Sequence, residues 1–149
     1  MKESLEKIEE KRKVNEIYYN GQIFDAYSKI QVLFKKAKKE LVVIDSYADN
    51  TILDIIKRLS IKVIIITKKD KYITNQDIIK YTKQYYNLLV IYNDTFHDRY
   101  FIIDKKLVYH CGSSINRIGY KTFSINLLSD QEVINTLINK VYETIHNST

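Results

Sequence analysis

The chain has 149 residues, a formal net charge of +6, 45% hydrophobic residues, three glycines and no proline. Its length suits one domain, and its composition excludes a disordered or fibrous chain. No run reaches the roughly 18 apolar residues of a membrane span, and one cysteine cannot form an intrachain disulfide, so we expect a cytoplasmic protein that does not bind membranes.

The N-terminal segment, residues 1–14, consists mainly of lysine and glutamate and predicts an exposed helical arm or linker. It suits a solvated leader, a partner-binding arm, or the end of a linker from an upstream domain. The sequence does not decide among these three. Residues 15–149 are predicted to form the folded domain.

A helix is predicted after the Asn20-Gly21 turn, with Phe24, Ile30 and Phe34 on its apolar face. Lysines cluster at its C-terminal end, where cations complement the helix dipole. The overall positive charge favours polyanionic partners such as nucleic acid, although a soluble basic surface gives the same count.

Three apolar runs predict buried strands: LVVID at 41–45, KVIIIT at 62–67 and LLVIY at 88–92. The intervening helices make these runs right-handed parallel crossovers. The predicted fold class is therefore α/β, with a mixed, mainly parallel sheet flanked by helices. Helix starts are predicted from three capping pairs, Thr51 with Asp54, Thr74 with Asp77, and Ser129 with Glu132.

The next two strands, YFIID and KKLVYHC, are predicted to form a hairpin through a Lys105-Lys106 turn. That hairpin would return Gly112 to Asn116 to the neighbourhood of His97. Ligand sites of open α/β sheets lie beyond the carboxyl ends of the strands. By that rule Asp45, Tyr47, Thr67 and His97 should share one edge.

The stretch HDRYFIID resembles the HxKxxxxD motif of the phospholipase D superfamily, with Arg99 in the lysine position. The downstream SSIN is similar to the serine and asparagine that follow that motif. Residues 41–69 resemble the strand, loop, helix and strand that open a phospholipase D half-domain. Within that superfamily the chain resembles small bacterial and phage proteins, including the C-terminal portions of some phage regulators, in which FHDR-type motifs replace the HxK form. No internal repeat is visible, so the chain holds one motif.

These residue types suit phosphodiester chemistry, in which cations and donors must hold the anionic oxygens while a nucleophile attacks. Arg99 and Asn116 suit the holding role, together with Ser113 or Ser114. His97 is the candidate nucleophile, since a neutral imidazole can form a phosphohistidine. Asp104 would orient His97, serve a partner's histidine, or make an internal structural bond.

One histidine cannot conveniently be both nucleophile and leaving-group acid, so a second copy of His97 is needed. The resemblance implies a homodimer whose two motifs face each other across a two-fold axis. It implies no cofactor and no metal, and His97, Asp98, His110 and Cys111 lack the spacing of a structural zinc site.

The leading hypothesis is a homodimeric, metal-independent phosphodiesterase of nucleic acid. The alternative is a catalytically weak DNA-binding or dimerisation module of a phage or mobile-element protein. This alternative is favoured by Arg99 in the lysine position and by the missing acidic residue near Asn126. A site for a nucleotide or a small phosphate ester is a third possibility.

Simpler interpretations apply to individual residues. His97 could be a loop histidine bonded to Asp94 or Asp98, and Asp104 could be a turn residue. Asp45 and Tyr47 are expected to support the sheet edge rather than contact a ligand. The thirteen tyrosines can be explained by an AT-rich genome and receive little functional weight.

Overall fold

The strands form a single sheet in the computed structural model, which describes residues 15–69 and 72–149. The predicted arm at residues 1–14 lies outside the described residues. Within them the sheet has seven strands. These are β1 (Glu16–Tyr18), β2 (Glu40–Ile44), β3 (Lys62–Thr67), β4 (Leu88–Tyr92), β5 (Arg99–Ile103), β6 (Leu107–Cys111) and β7 (Phe123–Leu127).

The strand order is β1-β7-β6-β5-β2-β3-β4. Parallel pairing is confined to β2 with β3 and β3 with β4. The other four pairings described are antiparallel. The mixed α/β class is thus confirmed, but parallel pairs do not predominate as predicted. The reason is that β5, β6 and β7 are joined by connections without a crossover helix, and such connections allow antiparallel pairing.

Helices cover both faces of the sheet. They are α1 (Ile23–Lys35), α2 (Asn50–Ile56), α3 (Asn75–Thr82) and α4 (Gln131–Asn147), with a 3₁₀ turn at Ile115–Arg117. Alternation along β2 sends Leu41 and Val43 into the core under α1, α2 and α3, and Val42 and Ile44 into the core under α4. No helix in the described residues is long and apolar enough to cross a bilayer.

The predicted capping box at the start of α3 is confirmed. The Thr74 hydroxyl accepts from the Asp77 backbone N–H, and the Asp77 carboxylate accepts from the Thr74 backbone N–H at 2.9 Å. The pair satisfies two of the donors that a helix start leaves open.

The other two predicted helix starts are wrong. Asp49 caps α2 and accepts from the Thr51 N–H at 2.9 Å, whereas Asp130 caps α4 in place of Ser129. Phe24 was also placed wrongly, because its side chain is 80% exposed on α1.

Candidate phosphate-binding site

The β5–β6 hairpin forms as predicted. Arg99 at the start of β5 pairs with Cys111 at the end of β6, and Ile103 pairs with Leu107 at the turn. The segment after Cys111 therefore lies at the carboxyl edge of β2, β3 and β4, beside the start of β5.

A cavity of about 530 Å³ opens at this edge. Arg99, Ser113, Ser114 and Asn116 all line it, so the structure brings together the four residues predicted to bind phosphate. Its volume lies within the range of about 300–1,000 Å³ that is usual for small-ligand sites.

The Arg99 guanidinium is partly buried and lines this cavity. Among the described residues, none accepts a hydrogen bond from it or forms an ion pair with it. Guanidinium carries five N–H donors in a planar fork that matches phosphate oxygens. Arg99 therefore places a cation at the cavity wall, with its donors open to a ligand.

The Asp45 carboxylate does not line the cavity but holds the loop that carries Ser114. It is fully buried and accepts bonds from the Ser114 hydroxyl at 2.9 and 3.0 Å and from the backbone N–H groups of Ile115 at 2.9 Å and Tyr47 at 3.0 Å. Burial raises the pKa of Asp45, while these hydrogen bonds and the charge of Arg99 act in the opposite direction. Asp45 thus supports the sheet edge, as expected.

The two serines are used differently. Ser114 is buried, and its hydroxyl proton is directed at Asp45. Ser113 is less buried, and its hydroxyl donates to the Ser114 carbonyl at 3.1 Å, a bond that a rotation about χ1 can exchange for a ligand.

The Asn116 side chain lines the cavity without a hydrogen bond to any described residue. Its Oδ1 atom is buried and unpartnered. Buried polar atoms of this kind are uncommon in native proteins because each lost hydrogen bond is costly. Oδ1 can only accept a hydrogen bond, so the donor open to a phosphate is the Nδ2 group, which also makes no hydrogen bond to a described residue.

His97 lies in the loop between β4 and β5 and is exposed. It is not among the residues that line the cavity, and its imidazole makes no hydrogen bond to a described residue. The loop is held by the Ser46 hydroxyl, which donates to the Phe96 carbonyl at 3.1 Å. Neither Asp94 nor Asp98 bonds His97, contrary to the simpler interpretation.

Asp98 instead pairs with His110, whose Nε2 lies 2.6 Å from the Asp98 carboxylate. The Tyr100 ring packs edge-on against the His110 ring, with centroids 5.6 Å apart. Sequence reasoning missed this pair. The register of the hairpin could have indicated the pair, because His110 lies directly opposite Tyr100, which is two residues from Asp98.

Asp104 does not reach this edge. It lies at the far end of β5, and five residues of strand extend roughly 17 Å. Its carboxylate accepts from the backbone N–H groups of Lys38 at 3.0 Å, Lys39 at 2.8 Å and Glu40 at 3.0 Å. These bonds, led by the one to Glu40, lower the pKa of Asp104. Orientation of His97 within one chain is thereby excluded, and the internal structural bond is what forms.

The position expected to hold a further acid contains Asn126, which pairs with His110 across β6 and β7. Its amide donates to the Ser124 hydroxyl at 3.1 Å. Within residues 15–69 and 72–149, no three His, Cys, Asp or Glu side chains are grouped closely enough to hold a metal ion.

Two cavity-lining tyrosines, Tyr72 and Tyr120, were missed. Tyr47 was expected at this edge as a structural residue, and it lines the cavity as well. Arg117 and Lys121 complete the same wall and are exposed.

Neither the family models nor the curated proteins contain a match to this sequence. Solved structures do resemble it. NucT from Helicobacter pylori is 19% identical with a TM-score of 0.66, over 90% of this chain and 96% of that one. Nuc from Salmonella typhimurium, a phospholipase D family member, is 12% identical with a TM-score of 0.65, over 91% and 95%.

TrmBL2, an archaeal chromatin protein, is 18% identical with a TM-score of 0.55, and the match covers 95% of this chain and 63% of that protein. At these identities the likeness concerns the fold. The chain has the fold of the phospholipase D superfamily, in agreement with the resemblance of its HDRYFIID and SSIN motifs.

Proposed function

We propose that the protein is a phospholipase D-like phosphodiesterase that cleaves nucleic acid without a metal. The observation that carries this proposal is the Arg99 guanidinium, which lines the cavity without an ion-pair or hydrogen-bond partner among the described residues. A partly buried cation with open donors is costly unless an anion fills the site. The phosphate of the substrate is the proposed anion.

Phosphate would be held from three directions. Arg99 donates a bidentate pair of hydrogen bonds, the Asn116 amide donates one, and the Ser113 hydroxyl donates another. Ser114 has a positioning role, because Asp45 holds its hydroxyl and thereby fixes the loop that carries the other two side chains.

His97 would act as the nucleophile, and its exposed position two residues before Arg99 leaves it accessible to a second chain. In the proposed homodimer, one imidazole attacks phosphorus, a P–N bond forms and the P–O bond to the leaving nucleoside breaks. The partner's His97 gives its proton to the leaving oxygen. Water then attacks the phosphohistidine, the partner's His97 takes a proton from that water, and the P–N bond breaks.

Nucleic acid is the proposed substrate because the net charge is +6 and because Arg117 and Lys121 add positive charge at the cavity wall. TrmBL2, which shares this fold, is a chromatin protein that binds DNA. We propose a cytoplasmic location, since the single buried cysteine needs no oxidising compartment.

A second candidate is a DNA-binding or dimerisation module with weak or no catalysis, as in phage and mobile-element regulators. It is favoured by His97, which does not line the cavity and has no carboxylate partner among the described residues. It is also favoured by arginine at the lysine position, where phosphate binding should survive better than turnover.

Cleavage of a labelled oligonucleotide in EDTA distinguishes the two candidates. If the protein is an enzyme, the wild type should cleave the oligonucleotide, and His97→Ala should bind it without cleaving it. His146→Ala is the matched control, because His146 lies in the last turn of α4. Absence of cleavage by the wild type, with oligonucleotide binding intact, would support the binding module.

The dimer is tested separately by sedimentation equilibrium. A shared active site predicts a mass of two chains and a cleavage rate per chain that falls on dilution below the dissociation constant. A monomer with an undiminished rate per chain would contradict the two-histidine mechanism.

A further inference from the structure

The cavity is larger than a phosphate group requires, and part of its remaining wall is aromatic. Tyr47, Tyr72 and Tyr120 line it together with Arg99 and Asn116. The three tyrosines are 38%, 43% and 58% exposed. All three rings are therefore accessible to a ligand in the cavity.

Several tyrosines elsewhere in the chain have bonded hydroxyls. Tyr81 donates to the Asn87 side chain at 2.7 Å, and Tyr109 accepts from the Lys36 ammonium at 3.2 Å. The hydroxyls of Tyr47, Tyr72 and Tyr120 bond to no described residue. Their hydroxyls are thus open to a ligand or to solvent.

Tyr47 and Tyr72 form a pair whose ring centroids lie 5.8 Å apart at 54°. This is an ordinary contact distance for two rings, so the pair leaves no room for a third ring between them. A flat ligand can instead stack on the outer face of the pair. Because Arg99 lines the same cavity, a ligand with one phosphate and one adjoining flat ring fits both features.

We infer that the Tyr47–Tyr72 pair, with Tyr120, is a stacking platform for an unpaired nucleobase next to the bound phosphate. This inference rests on the proposed function and narrows its substrate class to single-stranded nucleic acid. Bases within a duplex stack on one another and hide their faces, whereas every unpaired base exposes a face that an aromatic ring can cover.

Binding is best measured by fluorescence anisotropy in a His97→Ala background with EDTA, so that no substrate is consumed. The ligands are a single strand, its duplex, and an abasic strand of equal length that carries the phosphates alone. Loss of one stacked base is expected to weaken binding about tenfold. We therefore expect the single strand to bind about tenfold more tightly than either of the other two ligands.

Substitutions at the platform should remove that difference. Tyr47→Ala and Tyr72→Ala should weaken single-strand binding about tenfold each and leave abasic-strand binding unchanged. Tyr47→Phe keeps the ring and should bind like the parent protein, whereas Tyr47→Leu, which keeps an apolar side chain, should not. Tyr86→Ala is the matched control, since Tyr86 is 89% exposed and lines a different cavity.

A 2-aminopurine base in the strand reports stacking directly, because its fluorescence falls when it stacks. Quenching should occur with the parent protein and disappear in Tyr47→Ala, and thermal melts of each variant check folding. Equal binding of the normal and abasic strands, with no effect of the tyrosine variants, would overturn the stacking inference alone. Absence of binding to both strands would instead overturn the proposed function.

Discussion

The Ser114 hydroxyl lies 2.9 and 3.0 Å from the two carboxylate oxygens of Asp45, and both side chains are buried. Asp45 follows β2, whereas Ser114 follows β6, so one pair of side chains joins two distant parts of the chain beside the cavity. Asp45 also accepts from the Ile115 N–H. The position of Ser113 and Asn116 therefore depends on a buried carboxylate.

Asp45→Ala should lower the free energy of unfolding by about 3 kcal/mol, because it leaves a buried hydroxyl and two backbone N–H groups without an acceptor. Asp45→Asn keeps one acceptor oxygen and should cost less. Urea denaturation measures both. Asp54→Ala is the control, since its exposed ion pair with Lys57 should contribute no more than about 1 kcal/mol. Equal losses for Asp45→Ala and Asp54→Ala would contradict the anchoring role of Asp45.

The two carboxylates should give opposite pH dependence. The native pKa of Asp45 is raised above its ordinary value of 3.8 by burial, so its contribution to stability is present below pH 3.8 and is lost as pH rises through the native pKa. The native pKa of Asp104 is lowered from 3.8 by its backbone hydrogen bonds, so its contribution is present above pH 3.8 and is lost as pH falls.

Unfolding free energies of the wild type, Asp45→Asn and Asp104→Asn, measured from about pH 3 to pH 7, check these signs. Relative to Asp45→Asn, the wild type should lose stability as pH rises. Relative to Asp104→Asn, it should gain stability as pH rises.

At about pH 7, Asp104→Ala should lower the free energy of unfolding by roughly 1–2 kcal/mol, the usual range for a capping acceptor. It should leave the phosphate affinity of the folded protein unchanged. A drop in that affinity would show that Asp104 contributes to phosphate binding.

Much of the fold could be predicted because its signals are local. Apolar runs at β2 and β3 and the Thr74 capping box depend on neighbouring residues alone. Phe24 was misplaced because its helical spacing fits an apolar face, while Ala26 and Leu33 occupy the buried positions instead. Periodicity describes a stripe along the helix, and which stripe faces the sheet is decided by tertiary packing.

Prediction of the site was likewise limited to residues that lie close together in sequence. Arg99 and Asn116 were predicted together because a short hairpin fixes their separation. The roles of Asp45 and Asp104 depend on contacts across 69 and 64 to 66 residues of sequence, respectively, which no local pattern contains. Tyr47 was assigned to structural support, because exposure on a shared cavity becomes visible only when the chain is folded.

Gly119→Ala should destabilise the loop that carries Tyr120 and Lys121. Gly119 has a φ of +82°, and an added Cβ would lie 2.4 Å from the Ile23 Cα. The three nearest atoms, Ile23 Cα, Ile23 N and the Gln22 carbonyl oxygen, all belong to the backbone. The loop or α1 must therefore move, and we expect the free energy of unfolding to fall by about 2–4 kcal/mol in urea denaturation. Gly21→Ala is the control, since its φ is +93° but its surroundings are open. A loss at Gly119 no larger than at Gly21 would show that the loop adapts without strain.

Arg99→Gln should weaken phosphate binding at least about tenfold, since a hydrogen bond to a charged group contributes about 1.5–3 kcal/mol. It should lower the free energy of unfolding only slightly, because the guanidinium has no ion pair or hydrogen bond to a described residue, and what is lost is its longer-range attraction to Asp45. Calorimetric titration with a dinucleotide and urea denaturation measure the two quantities. A structural arginine would behave in the opposite way, with a loss of stability and little change in affinity.

Arg99→Lys separates binding from turnover. Lysine keeps the positive charge but loses the planar fork, so affinity should fall less than in Arg99→Gln. If arginine limits catalysis, the cleavage rate in EDTA should rise in Arg99→Lys although binding is weaker. Arg58→Gln is the matched control, because Arg58 is exposed just beyond α2 and does not line the cavity. Equal dinucleotide affinities for Arg58→Gln and Arg99→Gln would mean that the cavity attracts phosphate only through overall charge, and the proposed site would then be wrong.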